Sequence, residues 1–265
     1  MNTVNWRNQH VLLTGATGGL GQELARQLTA KGARVTLVGR NLKKLEPLAE
    51  SLQQPLLVAD VLADDFLEVV DAYMQAQHER PVTALINNAA ITVVGPFESV
   101  SGADIETVIR TNLIRPMQLT QLVLPQLPNF GWVLNIGSVF GAIGFPGQTL
   151  YNASKFGMRG FTQGLQRERE QTEAKVFYCA PRAIATSMND GLMSAMNRAL
   201  KTTEDTPEVV AQLALRQIEK GHANTTIGWP EKLLVRLNGI LPGIVDGAMK
   251  KPRLLLKQLT KGAAS

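Results

Sequence analysis

A chain of 265 residues with 45% apolar and 18% charged residues has the composition of a globular protein that buries a large core. The single cysteine, Cys179, excludes an intramolecular disulfide framework, the polar N-terminus predicts no signal peptide, and no apolar run reaches the roughly eighteen residues that a membrane-spanning helix needs. The net charge of +5 belongs to residues 230–265, which hold seven basic and two acidic residues, so a nucleic-acid-binding surface on the neutral remainder is not expected.

Apolar runs of strand length alternate with helical patterns along the chain. The first half predicts strands at 10–15, 33–40, 55–60 and 83–89, followed in turn by helices at 19–31, at 42–52, in a segment ending near 79, and at 102–127. The second half predicts strands at 131–138, 174–181 and 224–229, with helices around Tyr151, at 187–201 and at 207–220. Apolar strands that alternate with helices are typical of a parallel sheet covered on both faces.

The fold class predicted from this order is α/β: a single doubly wound parallel sheet of about seven strands, with helices on both faces and a helical appendage at the C-terminus. No linker or change of composition precedes residue 230. We therefore expect one domain over residues 1–229 and a basic helical appendage over residues 230–265, which Pro242 and Pro252 divide into short helices.

A glycine-rich segment, TGATGGLG at residues 14–21, lies where the first strand passes into the first helix. Gly15, Gly19 and Gly21 have the spacing GxxxGxG, which suits a tight turn, close approach of the backbone to a pyrophosphate, and helix amides directed at negative charge. Glycines also collect in ordinary turns, but the position between a strand and a helix favours a dinucleotide-binding loop.

The ends of the next two strands indicate which dinucleotide binds. Gly39 and Arg40 stand where a carboxylate would bind the ribose hydroxyls, and a guanidinium suits a 2′-phosphate, so the sequence predicts NADP(H). The alternative for Arg40 is a solvated side chain at a helix start. Asp60 and Val61 are candidates for contact with the adenine edge. The alternative for Asp60 is a simple helix N-cap.

Three side chains carry acid–base chemistry. Tyr151 and Lys155 are four residues apart in a predicted helix and therefore share one face. A nearby ammonium favours the phenolate and lowers the tyrosine pKa, so the pair predicts that Tyr151 donates a proton to a carbonyl oxygen while hydride reaches the carbon. Ser138 ends a strand at the sheet edge where ligands bind, and its hydroxyl suits the same oxygen.

Together these motifs resemble the short-chain dehydrogenase/reductase family over about residues 8–229. The segments that carry the resemblance are TGATGGLG, NNAA at 87–90, Asn112 in RTNL, Ser138, YNASK at 151–155 and PRAIAT at 181–186. The resemblance implies a Rossmann-like fold and a catalytic tetrad of Asn112, Ser138, Tyr151 and Lys155. No metal site is expected.

The resemblance also implies a role for each residue. Ser138 orients the substrate, Tyr151 is the general acid or base, and Lys155 binds the nicotinamide ribose and lowers the tyrosine pKa. Asn112 holds a water that relays protons to Lys155. Thr186 binds the nicotinamide amide, and Asn88 stabilises the central sheet near the cofactor. The expected cofactor contacts are Gly15, Thr17, Gly19, Leu20, Gly21, Arg40, Asp60, Val61, Asn88, Ala89, Tyr151, Lys155, Pro181 and Thr186.

Two positions depart from the family pattern, because Ala90 and Arg182 stand where glycine is usual. The methyl of Ala90 crowds the cofactor if the backbone approaches closely there, and Arg182 has cofactor phosphate, substrate or solvent as its candidate partners. The segment that follows Thr186 occupies the position of a substrate lid. Its methionines, Met188, Met193 and Met196, either belong to the core or line a flexible apolar site. Few charged residues occur in this segment, which favours a hydrophobic substrate.

The basic tail, residues 230–265, has three interpretations. It packs on its own or a partner subunit, it lies at an anionic membrane surface through basic and apolar side chains, or it covers the substrate entrance. The family resemblance implies a homodimer or homotetramer formed through the helix that carries Tyr151 and the helix before it. The absence of a leader and the single cysteine predict a cytoplasmic location, with the inner face of a membrane as the alternative.

The function predicted from the sequence is NADPH-dependent reduction of a ketone to a secondary alcohol, or its reverse, on a hydrophobic or lipid-like small molecule. A sugar-nucleotide epimerase also uses Tyr and Lys, but the glycine spacing disfavours it. Two alternatives from other classes are a non-catalytic dinucleotide-binding regulator and a membrane-associated protein that acts through its tail. The presence of all four tetrad residues favours the enzyme.

Overall fold

The computed structural model describes residues 4–169 and 174–261. Within these ranges one sheet of seven parallel strands has the order β3-β2-β1-β4-β5-β6-β7. The strands are β1 His10–Thr14, β2 Arg34–Gly39, β3 Leu56–Val58, β4 Ala84–Asn87, β5 Trp132–Ile136, β6 Lys175–Ala180 and β7 Asn224–Thr226. The strand order reverses between β3 and β4, which places a crevice at the carboxyl ends of β1 and β4. The predicted doubly wound sheet is therefore confirmed.

The helices follow the predicted pattern with sharper ends. In chain order they are α1 Gly19–Ala30, α2 Leu42–Leu52, α3 Phe66–Gln75, α4 Gly102–Ile109, α5 Arg115–Val123, α6 Thr149–Glu168, α7 Leu192–Leu200, α8 Pro207–Lys220, α9 Glu231–Ile240, α10 Pro242–Ala248 and α11 Lys250–Lys261. Alternate residues of β1 reach opposite faces of the sheet. Val11 and Leu13 pack with α1 and α8, whereas Leu12 packs with α3 and α5. Both faces of the strand are buried, which explains its unbroken apolar sequence.

The single helix predicted over 102–127 is interrupted in its middle. A π-helical turn, Arg110–Ile114, joins α4 to α5 and carries Asn112. Pro116 lies four residues after Asn112 and has no N–H, so the hydrogen bond that an α-helix would place on the Asn112 carbonyl cannot form. The proline was visible in the sequence, and its position relative to Asn112 is the signal that could have located the turn.

The tail continues from β7 as α9, α10 and α11, and it packs against the loop that follows β5. The Asn238 side chain donates a hydrogen bond of 2.8 Å to the Ala142 carbonyl, and Leu256 is buried against Gly147. Pro242 begins α10 as expected. Pro252 does not divide the tail, because it lies in the first turn of α11, where a missing N–H costs nothing.

One guanidinium joins three separate segments of the chain. Arg182, just after β6, bonds both carboxylate oxygens of Asp205 at 2.9 and 2.7 Å and also contacts Glu231 at the start of α9. The Arg182 and Asp205 side chains are 14% and 13% exposed, so this bidentate pair is largely shielded from water. The expected domain boundary near 229 lies beside this ion pair and stays a prediction, and residues 262–265 of the expected appendage lie outside the described residues.

Within residues 4–169 and 174–261, no helix combines the length and the apolarity needed to cross a bilayer.

We predict that Arg182→Met lowers the free energy of unfolding by about 2–3 kcal/mol, because two partly buried carboxylates lose their cation. The matched control is Arg253→Met, since Arg253 is exposed on α11 and makes no ion pair within the described residues. Denaturant titration of both variants measures the difference. Equal losses would mean that the Arg182 ion pair contributes nothing specific.

Candidate active site

Hydrogen bonds join the carboxyl ends of β1 and β4 where the crevice opens. The Thr14 hydroxyl accepts from the backbone N–H groups of Asn88 and Ala89 at 3.1 and 3.2 Å. The Asn88 amide in turn donates to the carbonyls of Thr14 and Gly15 at 3.0 and 3.1 Å. Asn88 therefore fixes the end of β4 to the start of the glycine loop, next to the expected cofactor position.

The glycine loop has room only for glycine at its critical positions. Gly15 has a φ of +65°, and a side-chain carbon there would lie 2.8 Å from the Ala89 Cα. A side chain at Gly21 would overlap with the Gly15 carbonyl. A carbon at Gly19 would lie 2.7 Å from Thr186 Cγ2, so Thr186 packs closely against the loop. This close packing leaves the N-terminal amides of α1 at the crevice, where a pyrophosphate fits.

The other expected cofactor residues surround this loop in different ways. Leu20 is buried in the core, so only its backbone can reach a ligand. Thr17 lies beside Gly39, at the end of β2. The Val61 carbonyl accepts a hydrogen bond from the Arg115 side chain, and the Pro181 carbonyl accepts one from the Val139 N–H at 3.0 Å. These hydrogen bonds fix the backbone at Val61 and at Pro181.

Arg40 extends from the end of β2 into solvent. Its side chain is 69% exposed, and its guanidinium lies 3.9 Å from the Asp60 carboxylate. Asp60 is not a helix cap, because α3 begins at Phe66, although its carboxylate does accept from the Leu62 N–H at 3.0 Å. An exposed cation with one distant partner is free to turn toward a phosphate.

Ser138, Tyr151 and Lys155 converge at the carboxyl end of β5. The Lys155 amine is buried and donates a hydrogen bond of 2.9 Å to the Ile136 carbonyl, and it lies 5.5 Å from the centre of the Tyr151 ring. Ser138 is also buried, and its hydroxyl accepts from the Phe140 N–H at 3.1 Å. Ser138 thus caps a short turn, and its side chain also interacts with Tyr151.

The pKa values at this site are governed by burial. Burial raises the pKa of Tyr151 to about 12, and the hydrogen bond with Ser138 offsets only part of that rise. Burial also lowers the pKa of Lys155 to about 8. The net direction is upward because removing the phenolate from water disfavours its charged form, and the lowering of the tyrosine pKa by Lys155 stays a prediction.

Asn112 lies in the π-helical turn, which contacts α6. Its amide nitrogen donates to the Ile91 carbonyl at 2.8 Å and to the Ser154 hydroxyl at 3.1 Å, while its oxygen accepts from the Ile91 N–H at 2.9 Å. Both amide protons are therefore used inside the protein. A water at Asn112 therefore has two acceptors available. One is the main-chain carbonyl, which lacks its α-helical donor because Pro116 has no N–H, and the other is the remaining lone pair of the side-chain oxygen.

Tyr178 is a neighbour that the sequence did not single out. A side-chain carbon at Gly137 would overlap with the Tyr178 ring, and one at Gly141 would lie 2.5 Å from its hydroxyl. The two glycines flank Ser138, so the ring of Tyr178 supports the serine turn from behind. Gly137 and Gly141 in the sequence could have indicated that a bulky side chain packs beside Ser138. Only the fold showed that this side chain is Tyr178.

The two departures from the family pattern have different outcomes. Ala90 is half-buried, and the crowding of a cofactor by its methyl stays a prediction. The Arg182 guanidinium is bonded to Asp205 and Glu231, neither of which was among its expected partners. Instead it anchors the lid segment, which leaves the body after Thr186 and returns at Asp205.

The lid is more polar than expected. Met193 and Met196 are buried residues of α7, so both belong to the core, and Met188 is 40% exposed. A surface depression beside the lid is lined by Thr186, Ser187, Asn189, Asp190, Ser194 and Glu204, among other residues. Phe140 and Phe145 stack at 4.9 Å in the loop between Ser138 and Tyr151 and supply a half-buried apolar surface nearby.

Comparisons with known proteins agree with this geometry. A model of the short chain dehydrogenase family matches residues 9–197. The chain is 39% identical to nodulation protein G of Rhizobium sp. (strain N33) over 71% of this chain and 78% of that one. It is 32% identical to dehydrogenase/reductase SDR family member 7B of Bos taurus over 90% and 79% of the two chains. It is 35% identical to the 3-oxoacyl-[acyl-carrier-protein] reductase FabG of Pseudomonas aeruginosa over 71% and 79%.

Solved structures share the fold at lower identity. A short chain dehydrogenase/reductase from Burkholderia phymatum in complex with NAD has a TM-score of 0.80 and 20% identity over 89% of this chain and 94% of that one. A short chain dehydrogenase from Burkholderia cenocepacia J2315 in complex with NADP has a TM-score of 0.76 and 22% identity over 86% and 100%. The matched family model and the relatives lead to one conclusion: this chain belongs to the short-chain dehydrogenase family of oxidoreductases.

Proposed function

We propose that this protein is an NADPH-dependent reductase that converts a ketone to a secondary alcohol. The observation that carries the proposal is the convergence of Ser138, Tyr151 and Lys155 beside a glycine loop in which side chains have no room. The residues present fit a nicotinamide dinucleotide, because the α1 amides and Arg40 supply groups for its phosphates. When bound, that dinucleotide supplies the hydride.

The roles of the two hydroxyls follow from their protonation. The hydroxyls of Ser138 and Tyr151 hold the substrate oxygen, and Tyr151 gives it a proton. With a pKa of about 12, Tyr151 is protonated at neutral pH and therefore carries the proton that reduction requires. Lys155 holds the ribose of the dinucleotide and, with a pKa of about 8, is poised to pass a proton toward Tyr151 near neutral pH. The main-chain carbonyl of Asn112 is a suitable acceptor for the water that would return a proton to Lys155.

The preference for NADPH rests on Arg40. An exposed guanidinium at the end of β2 has two donors for a 2′-phosphate and only the carboxylate of Asp60, at 3.9 Å, to compete. The complexes of the two neighbouring structures contain NAD in one case and NADP in the other, so Arg40 of this chain is the deciding feature.

The substrate we propose is neutral and partly hydrophobic. The stacked Phe140 and Phe145 and the exposed Met188 favour an apolar group, while Asp190 and Glu204 beside the lid repel an anion placed there. The name of the FabG relative specifies a 3-oxoacyl substrate, which is a ketone of this kind.

We also propose a homo-oligomer that forms through the helices around Tyr151. Ile114, Met117 and Phe156 expose 43%, 38% and 44% of their surface on the π-helical turn, α5 and α6. Three exposed apolar side chains on packed neighbouring elements favour an interface between subunits.

We predict that Tyr151→Phe lowers kcat/KM by about a thousandfold, because the proton donor is lost, while NADPH affinity changes by less than about threefold. Loss of NADPH absorbance with a panel of ketones of increasing apolar size measures turnover, and fluorescence titration measures binding. Tyr73→Phe, which removes a phenolic hydroxyl that bonds Thr36 away from the site, is the matched control. Turnover retained by Tyr151→Phe would contradict the mechanism.

We predict that Arg40→Asp lowers the ratio of kcat/KM for NADPH over NADH by about 10- to 100-fold, because the 2′-phosphate loses a charged donor and meets a carboxylate. Steady-state kinetics with the two cofactors check this expectation. Lys220→Asp, at the exposed end of α8, makes the same charge change elsewhere. An unchanged ratio in Arg40→Asp would place the phosphate contact at another residue.

We predict that Lys155→Met abolishes turnover and raises the free energy of unfolding at pH 7 by about 2 kcal/mol, since the buried amine costs more than its hydrogen bond returns. The native pKa of Lys155, about 8, lies below its usual value of 10.5, so the native state loses this proton first. Stability of the wild type therefore rises with pH between about 8 and 10.5, relative to Lys155→Met. Lys175→Met, at an exposed position, should leave that pH dependence unchanged. A parallel pH dependence in wild type and Lys155→Met would refute the assignment.

A further inference from the structure

An apolar turn lies on the surface of the tail, where α9 meets α10. We name residues 240–244, with the sequence ILPGI, the apolar tip. Ile240, Leu241 and Ile244 expose 77%, 52% and 57% of their surface, and Pro242 and Gly243 between them are exposed as well. Leu233 lies seven residues before Ile240 on the same face of α9 and is 50% exposed. Contiguous exposure of this kind indicates a binding surface rather than scattered apolar residues.

The exposure of the apolar tip does not come from a tail that is detached from the protein. Val245 is buried immediately after the tip, Asn238 is hydrogen-bonded to Ala142 before it, and Leu256 is buried further along. Arg182 fixes the beginning of α9 through Glu231. The tail is thus held on both sides of the tip, and the tip is the part that is directed away from the body.

The charges around the apolar tip are positive. Lys232 and Arg236 are exposed on α9, and Lys250 and Lys251 are exposed at the start of α11. Glu231 is already paired with Arg182, which leaves Asp246 as the exposed acid near the tip. An apolar turn among cations complements a surface that has anionic head groups above hydrocarbon.

A second copy of this chain fits the surface less well. Pairing of two tips would bring two cationic tails together, and their repulsion opposes association. A short turn also offers less area than the roughly 800 Å² per partner that a stable interface buries. We propose that the apolar tip inserts into the head-group region of an anionic lipid bilayer and that the surrounding lysines and arginines hold it there. The protein binds the membrane surface without spanning it, and this inference is independent of the proposed catalytic function.

The apolar contribution is tested by sedimentation with vesicles of phosphatidylcholine alone and of phosphatidylcholine with phosphatidylserine. Wild type should bind the anionic vesicles at least about tenfold more strongly than the neutral ones. The double variant Ile240→Glu, Ile244→Glu should lose about tenfold or more of that binding. The control is Phe97→Glu, Phe130→Glu, which makes the same changes at side chains that are 52% and 59% exposed outside the tail. The control should bind as wild type does.

The charge contribution is tested by Lys232→Gln, Arg236→Gln, with Lys175→Gln, Lys220→Gln as the control for equal loss of charge. The first pair should weaken binding to anionic vesicles several-fold, and the control should not. Thermal melting and NADPH titration of every variant establish that each is folded. Three results would overturn the proposal: no binding of wild type to anionic vesicles, unchanged binding of the apolar tip variant, or a dimer in light scattering that the tip variant dissociates while no variant binds vesicles.

Discussion

A buried hydrogen bond from the Lys155 amine to the last carbonyl of β5 is the contact on which the site depends. It joins the middle of the sheet to α6 and so sets the position of Tyr151, one helical turn earlier. The same burial that holds the amine shifts the pKa values of both side chains, lowering that of Lys155 to about 8 and raising that of Tyr151 to about 12. The hydrogen bond sets the position of the two side chains, and their removal from water sets the direction of both pKa shifts.

The remaining parts of the site surround this contact through backbone groups and small residues. Gly137 and Gly141 leave space for the Tyr178 ring behind Ser138, and Pro116 leaves the Asn112 carbonyl without its α-helical donor. Further out, Arg182 joins the base of the lid to the tail, and the tail in turn covers the loop that carries Ser138. The tail, the segment at Asp205 and the loop that carries Ser138 are therefore connected by direct contacts.

Much of the fold and the site could be predicted because local physical chemistry determines them. The alternation of apolar runs and helical patterns gave the strands of the sheet, and the Gly15 to Gly21 spacing gave the position of the loop. The four-residue spacing of Tyr151 and Lys155 placed both side chains on one helical face. The helix predicted over 102–127 failed in its middle, since the pattern of apolar residues continues through the π-helical turn and only the main-chain hydrogen bonds change.

The sequence by itself determined the doubly wound sheet, the position of the glycine loop and the residues proposed for acid–base chemistry, because each depends on neighbours in the chain or on a repeating pattern. Only the tertiary structure decided the direction of the Tyr151 pKa, the partners of Arg182 and the burial of Met193 and Met196. These depend on how much water a side chain loses and on which distant groups surround it. Asp205 and Glu231, for example, reach Arg182 from 23 and 49 residues away. No local pattern in the chain records such distances, so the fold had to supply them.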